Sequence, residues 1–380
     1  YLPIIIKEHR RLIHHIALFQ CHVPAALNRT RHSMFEHLLA HPGAKCNSNE
    51  LPPEWIQYCF TFEISLNYGS EGQDFPDHVG RPIGEDEDED NYFVLEVHYE
   101  NPDDAPFVDS SGVKVVYTDN LRPYDTGAIV LGQRVTPFTF IPPKQENFKI
   151  KGFCSGVCTR KGFPETGITA FSILLHGHTH TRRLILRHIR NGIELPPLAR
   201  DNHYDFNYQQ YKRLPHEVEI LPGDELILEC DYDNDSDNYV VGGLSARREM
   251  CLGMIMHYPK SSLVDCRSQY EFNSFFHKLG FRLVNGQILN ELSLPYDPKN
   301  AVGDKDATPL DDANVLFIKT QQEEVNYTLF DDLYTMTKYH VNTTVGSVLK
   351  HRKWRSPKDE IASKWSDSLH YMHCVSQGGR

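Results

Sequence analysis

The sequence predicts an all-β protein of antiparallel sandwiches, and three observations carry that expectation. β-Branched and aromatic runs recur along the chain: "NYFVLEVHYE", "GVKVVYT", "GAIVLGQRVTPFTFIPP", "ITAFSILLHGHTH", "RRLILRHIRNGIEL" and "DELILECDYD". Such residues suit a pleated, half-buried surface. Turn signals separate the runs, as in "RNG" at 190–192 and "LPGDE" at 221–225, and many short strands at that spacing favour sandwiches. No repeat of 20–50 residues is visible, which argues against a solenoid. With 380 residues, 40% of them hydrophobic, the chain has the length for two or three packed domains.

In chain order, "YLPIIIKEHRRLIHH" lacks an initiating Met and enters a strand-like run at once. It reads as a cut N-terminus, so a missing signal peptide carries no weight. The acidic run "GEDEDED" at 84–90 reads as a solvated loop. A boundary is expected near 145–153, where "PPKQENFKIKG" separates two strand-rich halves. Past residue 267 the pattern changes. "SQYEFNSFFHKLGF" spaces Tyr270, Phe272, Phe275, Phe276 and Leu279 like one face of a short helix ending at Gly280. The organisation expected is therefore 1–150, 151–267 and a mixed C-terminal extension over 268–380. No stretch reaches transmembrane length, and the net charge of −12 argues against a nucleic-acid partner.

Nine cysteines accompany sequons at Asn28, Asn234, Asn326 and Asn342. Together they favour an oxidising, secretory compartment and a glycosylated protein. The odd count leaves one cysteine over. Cys154 and Cys158 lack the second CxxC pair of a zinc site, so disulfides are the better reading.

Four features could carry chemistry: the pair His14-His15, His98 in "LEVHYENP", the alternating His176, His178 and His180, and "REMCLGMIMHYP" at 248–259. In a strand, all three alternating imidazoles would point to one face. Such a pair of neighbouring imidazoles is a common arrangement for transition metals. Each feature also has a plainer reading: His98 as a hydrogen-bonded core residue, Met250 as a gap-filling thioether. His and Met near one metal favour copper, because a thioether stabilises Cu(I) and adds little for zinc.

Six ordered motifs, "LIHHIALFQC", "FVLEVHYENP", "LLHGHTHTRR", "DNHYDFNYQQY", "LPGDELILECDY" and "GGLSARREMCLGMIMHYP", resemble those of the copper type II, ascorbate-dependent monooxygenases. The likeness is to the dopamine beta-hydroxylase-like branch, with the peptide-amidating enzymes more distant. It runs from residue 1 to about 267 and more weakly to Cys374. It implies two jelly-roll-type sandwiches, the first incomplete here, facing across a solvent-filled cleft with one copper each. One copper would be held by His14, His15 and His98, the other, which binds dioxygen, by His176, His178 and Met250. His180 would be an extra, either hydrogen-bonded to the cluster or plain strand surface. The resemblance implies disulfides Cys21–Cys59, Cys154–Cys266, Cys158–Cys374 and Cys230–Cys251, and leaves Cys46, whose family partner lies upstream of residue 1. It also implies ascorbate as reductant, O2 and a small-molecule substrate as partners, and dimer contacts, as in a homodimer, in the last hundred residues.

The activity implied is hydroxylation of an activated C–H, with a small aromatic amine as the expected substrate. Leu174, Leu252 and Met254 stand where amidating relatives carry carboxylate-binding or neighbouring polar groups, which disfavours peptide amidation. Met254 and His257 replace tyrosines of the catecholamine enzyme, so a less hydroxylated pocket is expected. Two other readings stay open. A secreted copper-binding protein without turnover would predict a missing ligand, and none of the six positions is empty. A zinc hydrolase would need a carboxylate base, for which Glu96, two residues before His98, is the candidate.

Overall fold

The computed structural model describes residues 1–21, 31–83 except 47 and 49, and 92–271 except 102 and 104. Beyond those it describes short stretches: 275–276, 279, 281, 283–284, 287–288, 334–336, 342–351 and 370–376. The acidic run at 84–90 and the sequons at Asn28 and Asn326 lie outside these residues, as does the side chain of Asn342.

The described elements are predominantly strands, as expected. Two sheets form the larger body. One has six strands in the order Lys212–Ile220, Ile168–His176, Leu252–Tyr258, Gly127–Gln133, Leu263–Tyr270 and His370–Ser376; the other has four, Gln145–Cys154, Glu225–Asn234, Thr181–Arg190 and Ile193–Asp201. Their facing sides bury one continuous core that includes Ile129, Leu131, Ile150, Leu184, Leu228 and Ile255. Pairing within the two sheets is antiparallel apart from Leu263–Tyr270, which runs parallel to Gly127–Gln133. The strand Ile168–His176 is buried along most of its length rather than at every second residue. Its inner side meets the four-stranded sheet, while Leu174 and Phe171 meet side chains of the N-terminal part. A strand covered on both faces loses its alternation.

The N-terminal part centres on a three-stranded sheet, Cys59–Asn67, Ile13–Cys21 and Phe93–Tyr99, with Ile13, Ile16, Ile64 and Leu66 as its core. It docks on the larger body through Val79, Phe75, Phe171, Met256 and Tyr258.

Local sequence explains several features. Asn191 and Gly192 adopt left-handed φ of 52° and 77°, which the tight hairpin between Thr181–Arg190 and Ile193–Asp201 requires. Two backbone bonds, Phe275 N–H to Glu271 O and Leu279 N–H to Phe275 O, give the helical turns expected there. Tyr270, however, ends the preceding strand, and Phe272 and Gly280 lie outside the described residues.

The boundary expected near 145–153 falls inside the strand Gln145–Cys154, and Gly127–Gln133, expected in the first domain, is central to the six-stranded sheet. Likewise the strand His370–Ser376, expected in the extension, completes that sheet's edge. Asn234 is fully buried, and its amide donates to the carbonyls of Pro142 and Asn238. The folded chain therefore offers no acceptor for a glycan at that sequon.

Disulfides join Cys21 to Cys59, Cys154 to Cys266, Cys158 to Cys374 and Cys230 to Cys251, leaving Cys46 free and exposed. Among the described residues no helix is long and apolar enough to cross a membrane.

Candidate metal centre

His14, His15 and His98 come together because of a β-bulge. Ile13 pairs with Tyr99 and His15 with His98, which leaves His14 as the extra residue of the strand. Neighbouring residues on a regular strand face opposite ways; a bulge re-aims one of them. The donor nitrogens of the three rings lie within 4.8 Å of one another, and His14 Nδ1 is 2.9 Å from His15 Nδ1.

His176, His178 and Met250 gather differently from the expected strand face. The strand ends at His176, and residues 177–180 form a turn. A side chain at Gly177 would put its Cβ 2.2 Å from Thr181 Oγ1, so glycine is required where the chain leaves the sheet. His176 Nε2 then lies 3.3 Å from Met250 Sδ. Both histidines and Met250 are buried.

Three of the five rings are oriented by a bond from one of their nitrogens. His176 Nδ1–H donates to Gln209 Oε1 at 2.5 Å, His178 Nδ1–H to the Arg248 carbonyl at 2.9 Å, and His15 Nε2–H to Glu96 Oε1 at 2.8 Å. Such bonds fix the tautomer and leave the opposite nitrogen with its lone pair for a metal. His178 Nε2 and His14 Nε2 are buried without a hydrogen-bond partner. Burial, with smaller effects from neighbouring imidazoles, holds His14 and His178 well below the usual histidine range, and burial lowers His98 and His176 to about 4. All four rings are therefore neutral near pH 7, the form that binds metal.

Glu249, which sequence reasoning missed, organises this corner. It is fully buried. Its carboxylate accepts the backbone N–H groups of His178 (2.9 Å), His180 (2.6 Å) and Met250 (3.2 Å), and the Thr181 hydroxyl (3.1 Å). Burial pushes its carboxyl up to about 7 against the pull of these donors. The sequence signal was an acid directly before Met250, at the head of the apolar run 250–256. The motif "DNHYDFNYQQY" also gains roles. Tyr204 donates its hydroxyl proton to Gly177 O, Phe206 packs on His14 and His178, and Gln209 holds His176. Tyr211 O–H lies 3.3 Å from Met254 Sδ.

Three expectations change. His180 turns its ring to the Asp233 carbonyl and serves the site through its backbone N–H alone. The two trios do not face each other across a solvent-filled cleft: the His14 and His178 rings are 5.4 Å apart, with Phe206 against both. Glu96 is committed to His15; although burial pushes its carboxyl up, that bond and the neighbouring imidazoles hold it below the usual range. It is no free base for a zinc hydrolase. Tyr211 places a hydroxyl beside Met254, and His257 is bonded to the Pro259 carbonyl and Ser261. The sulfurs of Cys158, Cys266 and Cys374 also lie close together, but all three are in disulfides.

The donor set fits copper: neutral imidazoles with unpartnered, buried Nε2 atoms at His14 and His178, and one thioether beside His176. Stacked β-sheets with five imidazoles and a thioether gathered at one junction define a β-protein suited to a soft, redox-active metal. Comparison with known proteins narrows the class. Residues 1–106 match the model of the copper type II ascorbate-dependent monooxygenase N-terminal domain, and residues 124–279 that of the C-terminal domain. The chain belongs to the copper type II ascorbate-dependent monooxygenases, a family defined by copper and by ascorbate. It is 38% identical over 271 residues to DBH-like monooxygenase protein 1 of Homo sapiens, covering 70% of this chain and 42% of that protein. To MOXD1 homolog 1 of Drosophila melanogaster it is 36% identical over 285 residues, 75% of this chain and 40% of that one. To dopamine beta-hydroxylase of Canis lupus familiaris it is 33% identical over 293 residues, 77% and 44% respectively. The chain thus spans less than half the length of the curated relatives it matches.

Proposed function

We propose that this chain carries the two copper sites of an ascorbate-dependent monooxygenase that hydroxylates an activated C–H of a small substrate. His14, His15 and His98 would hold one copper, and His176, His178 and Met250 the other. The observation that carries this reading is the convergence of five imidazoles and a thioether, with ring nitrogens of His176, His178 and His15 already bonded to Gln209, Arg248 O and Glu96. When bound, copper supplies one-electron chemistry and dioxygen activation, with ascorbate as the electron source.

The chain's own residues do the rest. Glu249 and Tyr204 hold the turn between His176 and Met250, so the donors are positioned before a metal arrives. Burial keeps His14, His98, His176 and His178 unprotonated near pH 7. Phe206 covers the gap between His14 and His178 and keeps water from it. Leu174, Leu252 and Met254 pack around Met250 as a buried apolar cluster and put no carboxylate-binding group at the amidating positions. Aromatic amines are the first compounds to try, because dopamine beta-hydroxylase is among the relatives. The disulfides favour an oxidising, secretory compartment, and a homodimer is the state to look for by light scattering. The two matched regions leave 107–123 between them, which supports a division of the halves there.

The copper-loaded chain should take up oxygen with 2-phenylethylamine when ascorbate is present, and Met250→Ala should lower the rate at least a hundredfold. Uptake that is unchanged by Met250→Ala would count against these assignments. A secreted copper-binding protein without turnover would instead bind two coppers and show no substrate-dependent uptake.

A further inference from the structure

The strand Ile168–His176 has two sides. Leu174 meets the Met250 cluster, whereas Ile173 and Leu175 face the core of the two stacked sheets. On that inner side the sandwich is open along one flank. Lys212–Ile220 is the edge of the six-stranded sheet and Ile193–Asp201 the edge of the four-stranded one, and a cavity of about 320 Å³ lies between them. Its floor is apolar, made by Ile173, Leu175, Leu198 and Leu214. Leu198 is buried, and Leu214 is half-buried against the core.

The rim has the opposite character. Arg200, Lys212 and Arg213 line it against a single acid, Asp201. Lys212 Nζ donates to Asp201 Oδ2 at 2.8 Å, which ties the two sheet edges together across the mouth. Arg200 and Arg213 are exposed and have no ion-pair partner among the described residues. The mouth therefore carries a surplus of positive charge over an apolar floor. An added peptide strand suits it poorly, because Pro196 and Pro197 in one edge and Pro215 in the other lack the N–H groups that strand pairing needs. Guanidinium groups bind carboxylates through charge-assisted bonds, and a concave apolar site with a few polar groups at its rim suits a small molecule.

We propose that this gap binds a small amphiphilic carboxylate, with its apolar end on Ile173, Leu198 and Leu214 and its head at the arginine rim. The site is separate from the six candidate copper donors, and binding there does not rest on the monooxygenase reading. It sits directly behind them, however. Leu175 adjoins His176, and Tyr204, which forms part of the cavity wall, donates its hydroxyl proton to Gly177 O.

The test is calorimetric titration of the whole chain, with and without copper, using octanoate, octan-1-ol and octylamine. Octanoate should bind about tenfold tighter than either of the others, and equally well in both forms of the protein. The double variant Arg200→Gln, Arg213→Gln changes only exposed groups, so it should keep the parent's melting temperature and lose the preference. Ala199→Phe, which puts a ring into the cavity from its wall, should lose octanoate altogether. Equal binding of the three probes, no binding of octanoate, or tightest binding of octylamine would overturn the proposal. So would a preference that survives the double variant, or octanoate binding unchanged in a folded Ala199→Phe. If Ala199→Phe does not fold, the arginine variant decides alone.

Discussion

Three backbone N–H groups and a hydroxyl converge on the carboxylate of Glu249, and both of its oxygens are used. Glu249→Gln replaces one acceptor with an NH2 group that faces donors, which should cost about 1–3 kcal/mol of stability. The same change should loosen the His178–Met250 pair while leaving His14, His15 and His98 intact. Copper per chain and the Cu–S signal in X-ray absorption would show whether the thioether is lost selectively. A second residue-scale prediction concerns His257, which burial lowers to about 4 from about 6.5 in the unfolded chain. Between those values the unfolded state takes up the proton first, so stability falls as pH drops from about 6.5 toward 4. In the copper-free protein His257→Gln should lose less melting temperature over that interval than the parent. At this scale the six candidate side chains could be picked out from the motifs they sit in, and the structure gathers them into two trios. Glu249 could not be, because its contacts are to backbone groups that leave no spacing pattern behind.

The element that does most for the site is the segment 201–211, outside the regular sheets over most of its length. Tyr204, Phe206, Gln209 and Tyr211 reach respectively Gly177, the His14–His178 pair, His176 and Met254. Gln209→Leu should remove the acceptor for His176 Nδ1–H and free the ring to turn. Outer-shell losses of this kind typically weaken metal binding about 10–100-fold, measurable by competition with a Cu(I) chelator; unchanged affinity would show that Gln209 does not orient the ring. The strands themselves could be read from β-branched and aromatic runs. Their irregularities could not. The bulge that re-aims His14 is set by pairing with Phe93–Tyr99, a long-range contact. The apparent alternation of His176, His178 and His180 imitates a strand that in fact ends at His176.

Across the whole molecule, the all-β class and the cysteine-rich, disulfide-tied character could be read in advance, whereas the division of the chain could not. Gln145–Cys154 exposes Glu146, Asn147 and Lys149 and buries Phe148 and Ile150, so its polar half looks like a linker although it is a sandwich strand. Nor could the sequence reveal that His14 and His178, 164 positions apart, meet at 5.4 Å. Cys230–Cys251 ties the residue after Met250 to the four-stranded sheet, and the Tyr232 hydroxyl donates to Met250 O. The thioether is thus fixed to the body, while His14 belongs to the N-terminal part. The central claim, two copper sites built from these six side chains, is tested most directly by counting copper per chain after reconstitution and dialysis. The parent should hold two, Met250→Ala and His14→Ala one each, and His180→Ala two. A parent that holds one or none, or a His180→Ala variant that loses copper, would contradict the account.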